Sequence, residues 1–146
     1  MRSADPEDIR LLVALMTEFY AEAATPLDSS RAAAAFATLL ANDRLGHVWL
    51  IEAGGNEVGY IVVTFSYSME YGGPNAFVDD LFIQAPFRGA RLGTAALQEV
   101  RAFCLERGVR ALHLETGRDN AAAQALYRRA GFMVTDRQLL TLVLAD

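Results

Sequence analysis

The sequence predicts a mixed α/β fold: one domain with a central sheet and helices on both of its faces. Three observations predict it. Apolar residues at helical spacing open the chain, two β-branched and aromatic runs meet at a glycine turn in its middle, and strand-helix-strand units follow toward its end. Runs joined by a tight turn pair antiparallel, whereas strands joined through a helix pair parallel, so the sheet must contain both senses. The length of 146 residues suits a single domain over residues 1–146, with one core.

The elements follow in order. In "DPEDIRLLVALMTEFYAEA", Ile9, Leu12, Val13, Met16, Phe19 and Tyr20 recur at spacings of three, four and seven behind Asp5-Pro6, which marks an amphipathic helix. "SSRAAAAFATLLAND" reads as a second helix opening on a serine cap and packing through Phe36, Leu39 and Leu40. "GHVWLIEA" and "EVGYIVVTFSYS", joined by "GGN", read as a hairpin. "AFVDDLFI" is apolar on both faces, as a central strand should be. "LGTAALQEVRAFCLERG" is a helix that stops at Gly108, "RALHLET" a strand and "NAAAQALYRRAG" a helix. The closing "FMVTDRQLLTLVL" reads as two short strands or one bent one.

Composition excludes several classes of function. Hydrophobic residues make up 53% and charged residues 21%, too apolar for a disordered chain. The net charge of -5 carries no footprint for nucleic acid and suits a cationic substrate. The one cysteine, Cys104, excludes an internal disulfide and a CxxC site, so a reducing, cytoplasmic setting is expected. The polar, acidic "MRSADPEDIR" is no export signal, and no run of about 18 apolar residues predicts a membrane span.

The chemistry concentrates where "VDDLFI" turns through "QAPF" into Arg88, Gly89, Ala90, Arg91, Leu92 and Gly93 at the start of a helix. A helix start offers unpaired N–H donors and partial positive charge, and glycines let an anion approach the backbone. The spacing of Gly89 and Gly93 fits neither a Walker loop nor a dinucleotide fingerprint. Taken alone, the hexapeptide reads equally well as a strand-to-helix turn with solvated arginines.

A second constellation, "NAAAQALYRRAGF", places Asn120, Ala123, Tyr127 and Gly131-Phe132 on and after the next helix. The two segments together resemble the GNAT superfamily of acetyl-CoA-dependent N-acetyltransferases, where it reads R-G-x-G-x-G/A and N-x-x-A-x-x-x-Y-x-x-x-G-F. The resemblance spans roughly residues 57 to 133. It implies a mostly antiparallel sheet splayed in the middle and acetyl-CoA as cosubstrate. By the resemblance, the backbone of Arg88, Gly89, Ala90, Arg91, Leu92, Gly93 and Thr94 holds the pyrophosphate, and the pantetheine arm runs along Leu81, Phe82 and Ile83 where the strand diverges from "ALHLET". Asn120 and Ala123 would contact the coenzyme, although capping explains Asn120 nearly as well. Arg91 replaces the middle glycine of the family pattern; a left-handed backbone there would cost about 1–2 kcal/mol, so an ordinary helical φ is expected. Its side chain either supplements the phosphate contacts or points into solvent.

Acetyl transfer to an amine of pKa about 10.4 meets a neutral nucleophile about once in 2,500 molecules at pH 7, so a base is needed. By alternation, Asp79 shares a face with Leu81 and Ile83, while Asp80 shares the other with Val78 and Phe82. Asp79 is the first choice as base, acting through water, and Asp80 the second; either could instead fix the substrate ammonium. Tyr127 matches the family's general acid. Cys104, in mid-helix, is expected in the core, which favours direct transfer in a ternary complex. His47 and His113 lack ligand spacing, and no metal is expected.

The loop holding Tyr67, Glu70 and Tyr71 is expected on the acceptor side, where its acid and aromatics suit an ammonium. A small-molecule primary amine such as a polyamine or amino acid is the expected acceptor. A peptide or protein amine, or a coenzyme-binding module without turnover, are the alternatives. Family analogy extends the expectation to a homodimer.

Overall fold

A computed structural model describes residues 1–145 of the chain. Strand β1 (Arg2–Ser3) precedes helices α1 (Ile9–Glu22) and α2 (Ser29–Leu40), then strands β2 (Gly46–Ala53), β3 (Asn56–Ser68) and β4 (Gly73–Ile83), helix α3 (Leu92–Glu106), strand β5 (Ala111–Leu114) and helix α4 (Ala121–Arg129). The five strands lie side by side in chain order. Neighbours from β1 to β4 are antiparallel, and β4 pairs with β5 in parallel through the α3 crossover.

Local chemistry sets these boundaries. Asp5 accepts from the Glu7 N–H and Asp8 returns the bond to the Asp5 N–H, a reciprocal cap over a short 3-10 turn that leads into α1. The cap of α2 is Asp28, accepting from the Arg31 N–H at 3.0 Å, rather than the serine expected from sequence. An ionised carboxylate outcompetes the neighbouring hydroxyl for this role because it is acceptor-only and favoured by the helix dipole. The β2–β3 turn uses Gly54 and Gly55 at φ of 58° and 82°, the two positive values that a tight hairpin turn requires.

Two cores form, one on each face of the sheet. Leu12 and Leu15 of α1 and Phe36 of α2 cover Val48, Leu50, Tyr60, Val62 and Phe82. On the other face, Leu97, Val100 and Cys104 of α3 cover Trp49, Ile61, Val63, Ala76 and Val78, with Leu126 and Tyr127 of α4 at the margin. Their side chains alternate along β3 at the two-residue period of a strand.

Residues 132–145, expected to be strand, carry no regular secondary structure. The last backbone turn bond before them runs from the Phe132 N–H to the Tyr127 carbonyl. A strand forms only against a partner, and the outer edge of β5 is not paired by this segment.

Candidate active site

Two irregularities in β4 build the site. Opposite β3, Val62 faces Asp80 and Val63 faces Val78, so Asp79 is an inserted residue with no partner. Such a bulge breaks the alternation of faces. Val78 therefore packs on the α3 face while Asp80 sits with Tyr60 and Phe82 on the α1 face, which corrects the shared face expected for Val78 and Asp80. Toward β5, pairing covers only Asn75 to Val78, so residues 79–83 leave that edge of β4 open. The splay is the predicted one, and it leaves the β5-side backbone of residues 79–83 unpaired beside the bulge.

Asp80 is buried, 9% exposed, and its carboxylate accepts from the Tyr60 hydroxyl at 2.8 Å and, at the longer distance of 3.4 Å, from that of Tyr20. Burial pushes its pKa up to about 6; the Tyr60 bond resists, the nearby Asp79 charge adds to the rise, and the Tyr20 bond opposes it. Burial followed by the Asp80 charge pushes Tyr20 up to about 12, and Tyr60 higher still, so both phenols stay protonated as donors. Asp79 is exposed at the bulge, and its charge is felt by Asp80, Tyr20 and Tyr60 alike.

The turn into α3 forms the second part. Gly89 has φ 82° and open space where a Cβ would stand, so its backbone is accessible. The first backbone bond at this helix end runs from the Ala95 N–H to the Arg91 carbonyl, and no turn or cap bond takes up the N–H groups of residues 89–94 among the described residues. Arg88 stands apart: its N–H goes to the Ala85 carbonyl, its Nε donates to the Ile83 carbonyl at 2.7 Å and its guanidinium pairs with Glu22 at 2.6 Å. It braces α1 against the end of β4. Arg91 adopts φ 62° and ψ 16°, left-handed, so the expected helical φ is wrong. The residue caps α3 from outside the helix, where the chain must reverse sharply; the strain of about 1–2 kcal/mol is accepted with an exposed side chain in place of glycine. Gly93 is buried, and a Cβ there would come within 2.9 Å of Leu126, which lets α3 and α4 approach closely.

Tyr127 lies on the α3 face, its ring edge-on to Phe132 at 6.0 Å, and burial raises its pKa. Its hydroxyl has no hydrogen-bond partner among the described residues, where no buried side-chain polar atom is left unsatisfied, so the hydroxyl is not sealed from solvent. Asn120 caps α4 by accepting from the Ala123 N–H at 3.1 Å. Leu81 and Ile83 are half-buried and Phe82 is buried, along the open edge.

The structure does not bring Tyr67, Glu70 and Tyr71 to this site. They flank the β3–β4 turn: Tyr67 faces Pro74, and the turn end of β4 lies about 20 Å of strand from Asp79 at roughly 3.3 Å per residue. Glu70 is paired with Arg137 at 2.6 Å. Nearer the carboxylates, a cleft of about 450 Å³ is lined by Glu18 and Glu22 of α1 with Phe82, Gln84, Ala85 and Pro86. His47 bonds Ser3 and stacks near Trp49, His113 bonds Asn75, and the described residues contain no group of three or more metal-ligating side chains. Among the described residues no helix is long and apolar enough to cross a membrane.

Residues 11–132 match the family described as "Acetyltransferase (GNAT) family". The chain belongs to the GNAT acetyltransferase family. It is 31% identical to bovine (Bos taurus) thialysine N-epsilon-acetyltransferase over 74 residues, 51% of this chain and 43% of that protein. The chain spans less than half the length of the curated relatives it matches. Among solved structures, an integron cassette protein from the mobile metagenome of the Cole Harbour salt marsh is 47% identical, with a TM-score of 0.90 over 99% of this chain and 90% of that one. A predicted acetyltransferase from Clostridium acetobutylicum, solved with acetyl-CoA, shares the fold at TM-score 0.82 and 20% identity, over 97% of this chain and 94% of that one.

Against the GNAT frame, sequence reasoning missed Tyr20, Tyr60, Glu18 and Glu22. Tyr20 read as part of the apolar stripe of the first helix and Tyr60 as one residue of a strand, because only the three-dimensional pairing reveals that both hydroxyls converge on one carboxylate. Glu18 and Glu22 were visible as an i, i+4 acidic pair on the first helix.

Proposed function

We propose that this chain moves the acetyl group of acetyl-CoA to a primary amine of a small cationic molecule, by direct transfer in a ternary complex. Acetyl-CoA supplies an activated acetyl thioester when bound. The residues present fit it: free N–H groups at Gly89–Thr94 and the α3 dipole suit a pyrophosphate, while the open edge of β4 at residues 79–83 offers unpaired backbone to an amide-bearing arm.

One observation carries the proton chemistry. Asp80 packs with Tyr60 and Phe82 on the α1 face and Tyr127 packs on the α3 face, and between β4 and β5 the backbone of residues 79–83 is left unpaired. An amine arriving from the α1 side loses its proton to Asp80 as its nitrogen bonds the acetyl carbon; the carbon–sulfur bond breaks, and Tyr127 donates its proton to the departing sulfur from the other side. Asp80, rather than Asp79, is the better base. With a pKa of about 6 it is ionised about ten to one at pH 7 yet holds a proton more firmly than an ordinary aspartate. Tyr20 and Tyr60 position its carboxylate. Asp79, exposed beside it, attracts the ammonium.

The acidic cleft beside α1 supports a cationic small molecule over a peptide, and the likeness to a thialysine acetyltransferase points the same way. An amine panel assayed with acetyl-CoA by thiol release tests the reading. Turnover on a diamine or basic amino acid is expected; turnover confined to peptides, or coenzyme binding without turnover on any amine, would overturn it.

A further inference from the structure

Arg88 places a cation of the chain's own on the cleft beside α1. Its guanidinium pairs with Glu22 through contacts of 2.6 and 2.9 Å, and its central carbon lies over the Phe82 ring, 5.6 Å from the centroid. Glu22 and Phe82 both line that cleft. A carboxylate beside an aromatic ring is what an ammonium group seeks, so Arg88 occupies the partners that a bound cation would use. Glu18, the other acid of the cleft, is bonded to the neutral Gln84 amide at 3.0 Å and keeps its charge.

The same side chain stands next to the turn into α3. Arg88 directly precedes Gly89–Thr94, whose N–H groups no turn or cap bond takes up among the described residues and on which the coenzyme diphosphate is proposed to sit. Its Nε bond to the Ile83 carbonyl, at 2.7 Å, keeps it at the end of β4. Glu22 holds it weakly: the two side chains are 47% and 46% exposed, and such pairs contribute little net free energy. A diphosphate carries more charge than one carboxylate and can take a guanidinium by two parallel bonds, so it wins the competition for Arg88.

We infer that the second cationic group of the acceptor binds where Arg88 lies, on the Glu22 carboxylate and over the Phe82 ring, and that coenzyme binding clears that place by drawing Arg88 to the diphosphate. The inference rests on the two-substrate reading above and adds to it the residues that hold the far end of the acceptor. Each substrate then strengthens binding of the other by the same factor, because each favours the state in which the Arg88–Glu22 pair is broken. An acceptor with a single amine has nothing to place on Glu22 and gains nothing from the coenzyme.

Calorimetric titration of the full chain with free coenzyme A, 1,5-diaminopentane and n-pentylamine tests this. Wild-type protein should bind the diamine about two- to fivefold more tightly when coenzyme A is present, and n-pentylamine equally in both states. Glu22→Gln frees Arg88 in advance, so it should bind coenzyme A about two- to fivefold more tightly than wild type, bind the diamine more weakly and lose the coupling. In wild-type protein, coenzyme A should also move the Arg88 Nε and Glu22 Cδ resonances, a readout that needs no variant to fold. Coenzyme A bound by Glu22→Gln no more tightly than by wild type, a diamine affinity that coenzyme A leaves unchanged, equal coupling for n-pentylamine, or unmoved Arg88 and Glu22 resonances would each overturn the inference and leave the coenzyme reading standing. Failure of both chains to bind coenzyme A would overturn the two together.

Discussion

Replacing Asp80 by Asn separates what this carboxylate does for chemistry from what it costs the fold. The rise of its pKa from 3.8 to about 6 corresponds to about 3 kcal/mol by which burial disfavours the ionised form in the native state. Between those values the folded chain holds a proton that the unfolded chain has released, so stability falls as pH rises from about 4 to 6 and stays reduced above. Asn keeps the shape and an acceptor for the Tyr60 hydroxyl without the charge. At pH 7.5, Asp80→Asn should therefore stabilise the protein by about 1–3 kcal/mol, or about 3–10 °C in Tm, and by nothing at pH 4. Catalysis should move the opposite way, with kcat falling about 100- to 10,000-fold as the base is lost. Calorimetry at both pH values and thiol-release kinetics on the same preparation read the two effects. An unchanged Tm with full activity would refute both the burial of the charge and its catalytic use.

The other predictions touch the rest of the site. In the wild type, kcat/KM should rise with pH through about 6, following ionisation of Asp80, and a flat profile from pH 5 to 8 would remove it as base. Tyr127→Phe should lower kcat about 100-fold or more while leaving the acetyl-CoA Kd, measured calorimetrically, within about twofold. Arg91→Gly relieves a left-handed residue and should hold or raise Tm; an acetyl-CoA Kd that weakens severalfold would assign its side chain to the phosphates, and an unchanged Kd would assign it to solvent. Gly89→Ala, at φ 82°, should cost about 1–2 kcal/mol of local strain and weaken coenzyme binding, read by the same titration.

What was legible in the sequence was periodic or positional. The hairpin, the parallel crossover and the α3 and α4 helices follow from spacing, glycine turns and the Asn120 cap, each a local signal that the tertiary structure reinforces. The splay, and the expectation that the turn into α3 holds the coenzyme, came from the pairing of two motifs. The bulge was not legible, because "VDDLFI" reads as a regular strand until its partner shows Asp79 without an opposite residue. That one insertion decides which aspartate is buried, and with it which one burial pushes up in pKa. Arg91 was misread because propensity disfavours a left-handed arginine, whereas the sharp turn into α3 overrides propensity. The terminal segment was read as two short strands or one bent one, a reading that records what the residues would do given a partner and not whether one is present in the same chain.

The central claim is that acetyl-CoA is held by the amides at the start of α3 and along the open edge of β4. Titrating acetyl-CoA into 15N-labelled protein and following the amide resonances tests it most directly. The account predicts saturating shifts concentrated at Gly89–Thr94, whose donors no turn or cap bond takes up among the described residues, and at residues 79–83, whose β5 side is unpaired. Saturable binding that leaves those amides unmoved, or no binding at all, would contradict it.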